Sequence, residues 1–233
     1  MDDLTSAFTQ RLHHIRQRIA EACTHVGREP QSVQLLPVSK SFDDAVVQTA
    51  IEAGLQRFGE NRLPAIQQRL QAFPDQALDW IMIGHVQSNK AKDIARYVTE
   101  LHSLDRLSVA EALDRRLQQQ GRGLPVLIQL KTAQEGSKTG LEPAELTEFL
   151  RTLKAYASLK PFGVMTMATQ TTDVAEQRRC FALARQAVEQ AREAGFDLPC
   201  LSMGMSDDLE AAVAEGSTEV RIGSALFGTR YYA

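Results

Sequence analysis

The sequence predicts an α/β protein folded as one closed (β/α)8 TIM barrel. Two observations carry this expectation. Short apolar, strand-like runs alternate with amphipathic helical patterns along the chain, and such alternation requires a parallel sheet because parallel neighbours need a crossover, usually a helix. Eight strand-like runs fall between residues 35 and 222, the number that closes a barrel of this type. A doubly wound open sheet is the structural alternative, and it would leave edge strands more polar than these.

The elements follow in order. Leu4, Phe8, Leu12, Ile15 and Ile19 stand at helical spacing within residues 4–26, so the chain opens on an amphipathic helix that covers the barrel's bottom or side. Strands are predicted over residues 35–39, 57–59, 80–84, 100–103, 126–130, 161–167, 200–203 and 219–222. Helices are predicted between them over residues 43–53, 63–72, 88–97, 109–119, 143–155, 174–194 and 207–215. Gly54, Gly121, Gly195 and Gly216 each sit just past a periodic segment, where a left-handed residue ends a helix. No Gly/Ser/Pro linker or charge block marks a boundary, so residues 1–233 are expected to form a single domain, with residues 1–27 as a helix packed on the barrel.

Composition narrows the function classes. A net charge of -3 and a pI near 6.0 give no basic footprint, which argues against nucleic acid and anionic membrane as partners. There is no bilayer-length apolar run and no secretory core near the N-terminus, so a cytoplasmic protein is expected. A monomer is the separate expectation for its assembly, which the sequence does not decide. Cys23, Cys180 and Cys200 are odd in number and lack CxxC spacing, which argues against disulfides and a cysteine zinc site.

Barrels of this type bind and react at the C-terminal ends of their strands, and the predicted ends collect polar groups there. Lys40 closes the run Leu35-Leu36-Pro37-Val38-Ser39-Lys40. Desolvation of such an amine lowers its pKa and makes a nucleophile able to form a Schiff base; the plainer alternative is a strand ending at solvent, its lysine stem lying along apolar surface. Further ends bring Glu60, Asn61, His85, Asn89, Asp105, Lys131 and residues 166–169. The last two loops are the most specific. Ser202-Met203-Gly204-Met205-Ser206 leads into the predicted helix at 207, where Ser206 would cap it, and Arg221-Ile222-Gly223-Ser224 makes a second small-residue turn. Loops after the seventh and eighth strands recurrently hold phosphate, although each could serve only as a tight turn or a cap.

A lysine on the first strand facing a phosphate cup on the last two is the arrangement a pyridoxal 5'-phosphate (PLP) Schiff base needs. Arg221 is the candidate partner of the pyridine nitrogen, and as an arginine it would leave that nitrogen unprotonated and weaken the ring as an electron sink. The alternative for Arg221 is an ion pair with a carboxylate inside the barrel or at its rim.

The segments VSK at 38–40, FGEN at 58–61, IGHVQSNK at 83–90, HSLDR at 102–106, KTGL at 138–141 and LSMGMSDDLEAAVAEGSTEVRIGSALFG at 201–228, in this order, resemble the YggS/PROSC family of pyridoxal phosphate homeostasis proteins. The resemblance implies a barrel like the N-terminal domain of alanine racemase, PLP as a Schiff base on Lys40, and cofactor contacts near Asn61, His85, Ser206, Arg221, Gly223 and Ser224. Residues 41–43 and Arg62 depart from the family's usual continuation, and Lys131 stands where the family usually has asparagine. Lys138 matches the family's second lysine, with a solvated loop charge as its simpler role. Two functions follow: a carrier that holds PLP and passes it to apo-enzymes, or an enzyme such as a racemase acting on amino-acid α-protons. The second base in the similar racemases is a tyrosine from a partner subunit's extra domain, and no such domain is recognised here. Tyr97, Tyr156, Tyr231 and Tyr232 fall away from the predicted rim unless the C-terminal pair folds back, so the carrier is the expectation.

Overall fold

The computed structural model of the protein describes residues 2–133 and 139–228. In chain order the elements are α1 Asp2–His25, β1 Gln34–Pro37, α2 Asp44–Glu52, β2 Arg57–Glu60, α3 Leu63–Ala72, β3 Asp79–Met82, α4 Ala91–Tyr97, β4 Glu100–Leu104, α5 Leu107–Gln119, β5 Leu124–Gln129, α6 Leu146–Leu153, β6 Leu159–Met165, α7 Val174–Glu193, β7 Cys200–Ser202, α8 Leu209–Ala214, β8 Glu219–Ile222 and α9 Ser224–Phe227.

The strands pair in parallel in the order β1-β8-β7-β6-β5-β4-β3-β2. A parallel bridge between Val38 and Gly59 joins the two ends, and the Ser39 amide donates to Gly59 O at 3.1 Å. The sheet is therefore a ring, and the open doubly wound alternative does not apply. Predicted and observed boundaries differ by a residue or two, as hydrogen-bonded ends commonly do. β1 ends at Pro37 rather than at 39, with Val38 continuing only as the bridge. The helices predicted from 88 and 143 begin as 3-10 turns, Ser88–Lys90 and Pro143–Glu145. The four-residue α9 was not predicted, being too short to show periodicity.

Between barrel and helices lies the main core. Trp80, 1% exposed, stacks with Phe58 and Phe73 at centroid distances of 5.3 and 6.5 Å. Phe8, Leu12, Ile15 and Ile19 bury the inner face of α1, which packs against α2, α8 and α9 on the barrel's side. Leu4, placed in that stripe by the sequence, is half exposed, so the buried face starts a turn later. Arg11 Nε donates to Leu226 O at 2.7 Å and Arg18 binds Glu210, tying α1 to the last two helices.

Inside the ring lies a polar layer. Arg57 on β2 reaches both Glu100 on β4 (2.9 Å) and Glu219 on β8 (3.3 Å), a span between non-adjacent strands that only the barrel interior allows. His102 Nε2 lies 2.9 Å from Glu100 and its Nδ1 lies 3.6 Å from Glu219. Ser202 Oγ donates to Glu219 at 2.8 Å. Burial pushes the Glu100 carboxyl up, but His102 and Arg57 together hold it below the ordinary value of 4.5. A depressed carboxyl contributes stability that is present above its unfolded pKa and is lost as pH falls through the folded value. Glu100→Gln is accordingly expected to lower the urea midpoint at pH 7, with the deficit narrowing as the pH drops below the ordinary 4.5. A deficit that stays constant across that range, followed by circular dichroism, would contradict this role.

Candidate functional site

At the C-terminal end of the strands a cavity of about 480 Å³ opens, with Lys40, Asn61, Ser206, Arg221, Gly223 and Ser224 in its wall. Six of the seven sequence-predicted site residues therefore come together, although β1, β2, β7 and β8 are spread along the sequence. Val38, Ile83, Met165, Met167, Met205 and Ala225 add apolar surface to the wall, and Asp207 adds a carboxylate. The sequence reading missed this part; its signal was the alternation in Met165-Thr166-Met167, which turns every second side chain inward. The volume suits a small organic ligand.

His85 is the exception. It lines a neighbouring pocket of about 240 Å³ with Arg62, Gln87 and Lys90, sharing only Asn61 with the main cavity. Its Nε2 lies 2.9 Å from Arg106 NH2 and its Nδ1 3.9 Å from Asp105 Oδ2. β3 ends at Met82, and it is Ile83, just past it, that faces the main cavity. Asn89, in the short 3-10 turn that follows, is exposed.

Ser206 is in the wall but does not cap α8. That helix starts at Leu209 with Asp208 at the capping position, and Asp208 Oδ1 instead accepts from the Met205 amide at 2.5 Å, folding the loop against the cavity. Burial pushes the Asp208 carboxyl up, a shift that this amide and Arg221 oppose. Gly204 has φ +98, and a Cβ there would stand 2.5 Å from Ala212 Cβ; glycine is what lets the loop lie this close to α8.

Arg221 is 4% exposed. NH1 donates to Ser202 O at 2.6 Å and to Ser202 Oγ at 3.0 Å, and NH2 to Thr166 O at 2.8 Å. Burial lowers its pKa, while Glu219 and Asp208 act through space in the opposite sense. Carbonyl and hydroxyl oxygens hold this guanidinium in a fixed plane, so the carboxylate ion pair considered from the sequence is not what anchors it. Of the other predicted rim groups, Lys131 pairs with Glu142 at 3.3 Å in an exposed position and Asp105 Oδ2 accepts from the Gly140 amide at 3.3 Å. Lys138, Tyr231 and Tyr232 lie outside the described residues.

Lys40 is half-buried and stands in a turn in which the Phe42 amide donates to Ser39 O at 3.2 Å. Chemically, the cavity offers a primary amine able to condense with a carbonyl, hydroxyls suited to an anion, a fixed guanidinium and apolar walls for a flat ring. This donor set fits a phosphorylated aromatic aldehyde.

The model of the alanine racemase N-terminal domain family matches residues 10–231. The chain belongs to this family. Among relatives in the alanine racemase N-terminal domain family, the pyridoxal phosphate homeostasis protein of Pseudomonas aeruginosa is 40% identical over 230 residues, covering 97% of each chain. The pyridoxal phosphate homeostasis protein of Escherichia coli K12 is 36% identical over 228 residues, covering 95% of this chain and 96% of its own. PipY of Synechococcus elongatus, solved with PLP bound, is 35% identical with a TM-score of 0.79, covering 90% of this chain and 100% of PipY. The family resemblance drawn from the motifs is thereby established. Among the described residues, no helix is long and apolar enough to cross a membrane.

Proposed function

We propose that this protein binds PLP as a Schiff base on Lys40 and takes part in PLP homeostasis, holding the reactive aldehyde and delivering it to apo-enzymes, as a single barrel domain. The observation that carries this reading is the meeting of Lys40 with Ser206, Arg221, Gly223 and Ser224 in one cavity. The relatives named for PLP homeostasis and the PLP-bound PipY support the same cofactor. In the condensation, the deprotonated Lys40 amine adds to the aldehyde carbon, the C=N bond forms and the aldehyde oxygen leaves as water. When bound, PLP supplies an aldehyde and a ring able to accept electrons. Ser206, Gly223 and Ser224 would hold its phosphate, the methionine walls its ring faces, and Asn61 and Arg221 its polar edge.

Racemisation needs an acid–base group on each face of the ring. The one carboxylate in the wall, Asp207, stands next to Ser206 in the loop assigned to the phosphate. Among the described residues the wall holds no tyrosine, histidine or cysteine, and Arg221, spent on Ser202 and Thr166, does not shuttle protons. Both features favour a carrier over a racemase.

Borohydride reduction of the PLP-reconstituted protein, followed by peptide mass analysis, is expected to place the label on Lys40. Lys40→Ala should lose both the label and the visible absorbance, with PLP affinity falling by about 100-fold. A label on another lysine would sink the reading. Exchange of amino-acid α-protons in deuterated water separates the two functions: a carrier leaves them in place, whereas rapid exchange at catalytic protein concentrations would make the protein an enzyme.

A further inference from the structure

Behind Lys40, on the side away from the cavity, lies a buried ionic group that the proposed chemistry does not use. Glu60, the last residue of β2, is fully buried, and Arg69 on α3 is 7% exposed. Ser39 Oγ donates to Glu60 Oε1 at 2.7 Å, and Arg69 Nε lies 3.5 Å from the same oxygen. Glu60 Oε2 has no hydrogen-bond partner among the described residues. Arg69 then grips the chain on both sides of Lys40: NH2 donates to Ser39 O at 3.2 Å and to Phe42 O at 2.5 Å, while NH1 binds Asp44.

The backbone inside this grip is strained. Ser41, directly after Lys40, has φ +66 and is the sole non-glycine residue with positive φ among those described. With the Phe42 amide bonded back to Ser39 O, residues 39–42 form a turn of the type II pattern, whose third position ordinarily takes glycine. A serine there costs conformational energy and persists only where the surroundings impose it. The carbonyls of Ser39 and Phe42 frame the turn, and both are bound by one buried guanidinium. A buried ion pair contributes little net stability, so its retention beneath this turn points to a geometric task.

We propose that Arg69 and Glu60 are positioning residues for Lys40, clamping the turn at residues 39–42 from behind so that the amine is held at the cavity wall. The inference rests on Lys40 being the PLP-binding lysine. Removing the clamp leaves a strained turn free to relax, and the amine then samples positions off the line of attack, where displacements near 1 Å weigh heavily on reactivity.

The test uses purified protein reconstituted with PLP, with imine formation followed by stopped-flow absorbance, affinity by titration, and the pH at which the absorbance titrates. Arg69→Met is expected to slow imine formation and weaken PLP binding by about ten-fold or more, and to move the titration midpoint. Arg69→Lys, able to reach fewer of the acceptors, should fall between it and wild type and keeps the test alive if Arg69→Met does not fold. The decisive protein is Arg69→Met combined with Ser41→Gly. Glycine accepts the left-handed conformation without cost, so the double variant should form the imine faster than Arg69→Met alone. Wild-type rates in Arg69→Met or Arg69→Lys, with borohydride label still on Lys40, would overturn the clamp and leave the Lys40 assignment standing. So would a double variant whose thermal midpoint recovers while its imine rate does not. Label on a different lysine in wild type overturns the Lys40 assignment itself.

Discussion

Arg221→Met is expected to lower folding stability by about 2–4 kcal/mol and to abolish the wild-type spectrum of bound PLP. The stability loss follows from what the guanidinium satisfies. Ser202 O and Thr166 O, on buried residues, both accept from it, and methionine offers neither a donor. Glu219 also loses the cation that acts on it through space, although Arg57 remains within 3.3 Å. Burial relief for the removed charge offsets part of this, which is why the figure stays below the upper range for broken buried pairs. If Arg221 faces the pyridine nitrogen as proposed, its loss would let that nitrogen take a proton, so reconstituted protein should show a displaced absorbance maximum with the borohydride label still on Lys40. Urea denaturation with wild-type stability would show that the carbonyls find other donors; an unchanged spectrum would remove Arg221 from the ring nitrogen.

Gly84→Ala should be as damaging by the opposite route, through crowding. A Cβ at Gly84 would stand 2.0 Å from Asn61 O, 2.7 Å from Asn61 C and 2.8 Å from its Cα. All three are backbone atoms, so no rotamer change relieves the clash, and the segments after β2 and β3 have to separate. Overpacking of this kind costs about 1–3 kcal/mol or more. Gly84 O is in addition the acceptor of Ser103 Oγ at 2.6 Å, which resists displacement on the other side. Because Asn61 lines the cavity, the movement is delivered to the binding site: PLP affinity should fall by about ten-fold even in protein that remains folded. Wild-type affinity together with a wild-type thermal midpoint would mean that the two segments part without consequence.

What the sequence made legible is what repeats. Each strand and crossover helix announced itself by an apolar run or a helical period, because every one buries a face against the same core. The anion-suited loops were equally readable from Gly204, Ser206, Gly223 and Ser224, since small residues in strand-to-helix turns have few other reasons to cluster. Side-chain direction beyond a strand end was not. Nothing local in Ile83-Gly84-His85 shows that the chain turns away after Ile83, and the family motif drew attention to the imidazole instead. The polar interior was hidden for a related reason: Arg57, Glu100, His102 and Glu219 each look like a stray charge in an apolar run until the ring brings them to one axis. Arg69 was hidden by its helix, where one arginine among polar neighbours reads as solvated surface, and only the folded chain sets it under residues 39–42.

The seam between β1 and β2 gives the barrel a clasp. β1 and β8 share four paired residues, whereas across the seam the described strands join only at the Val38–Gly59 bridge, with the Ser39 amide beside it. A ring breathes where its stitching is thin, since local opening follows weakly supported hydrogen bonds. Lys40 and Asn61 stand on opposite banks of that seam, and a guest touching both fastens it from outside. Residence of the guest and integrity of the ring then belong to one equilibrium, because whatever binds only the closed form also stabilises it. A molecule that gives up its cargo would in the same act loosen its own hoop.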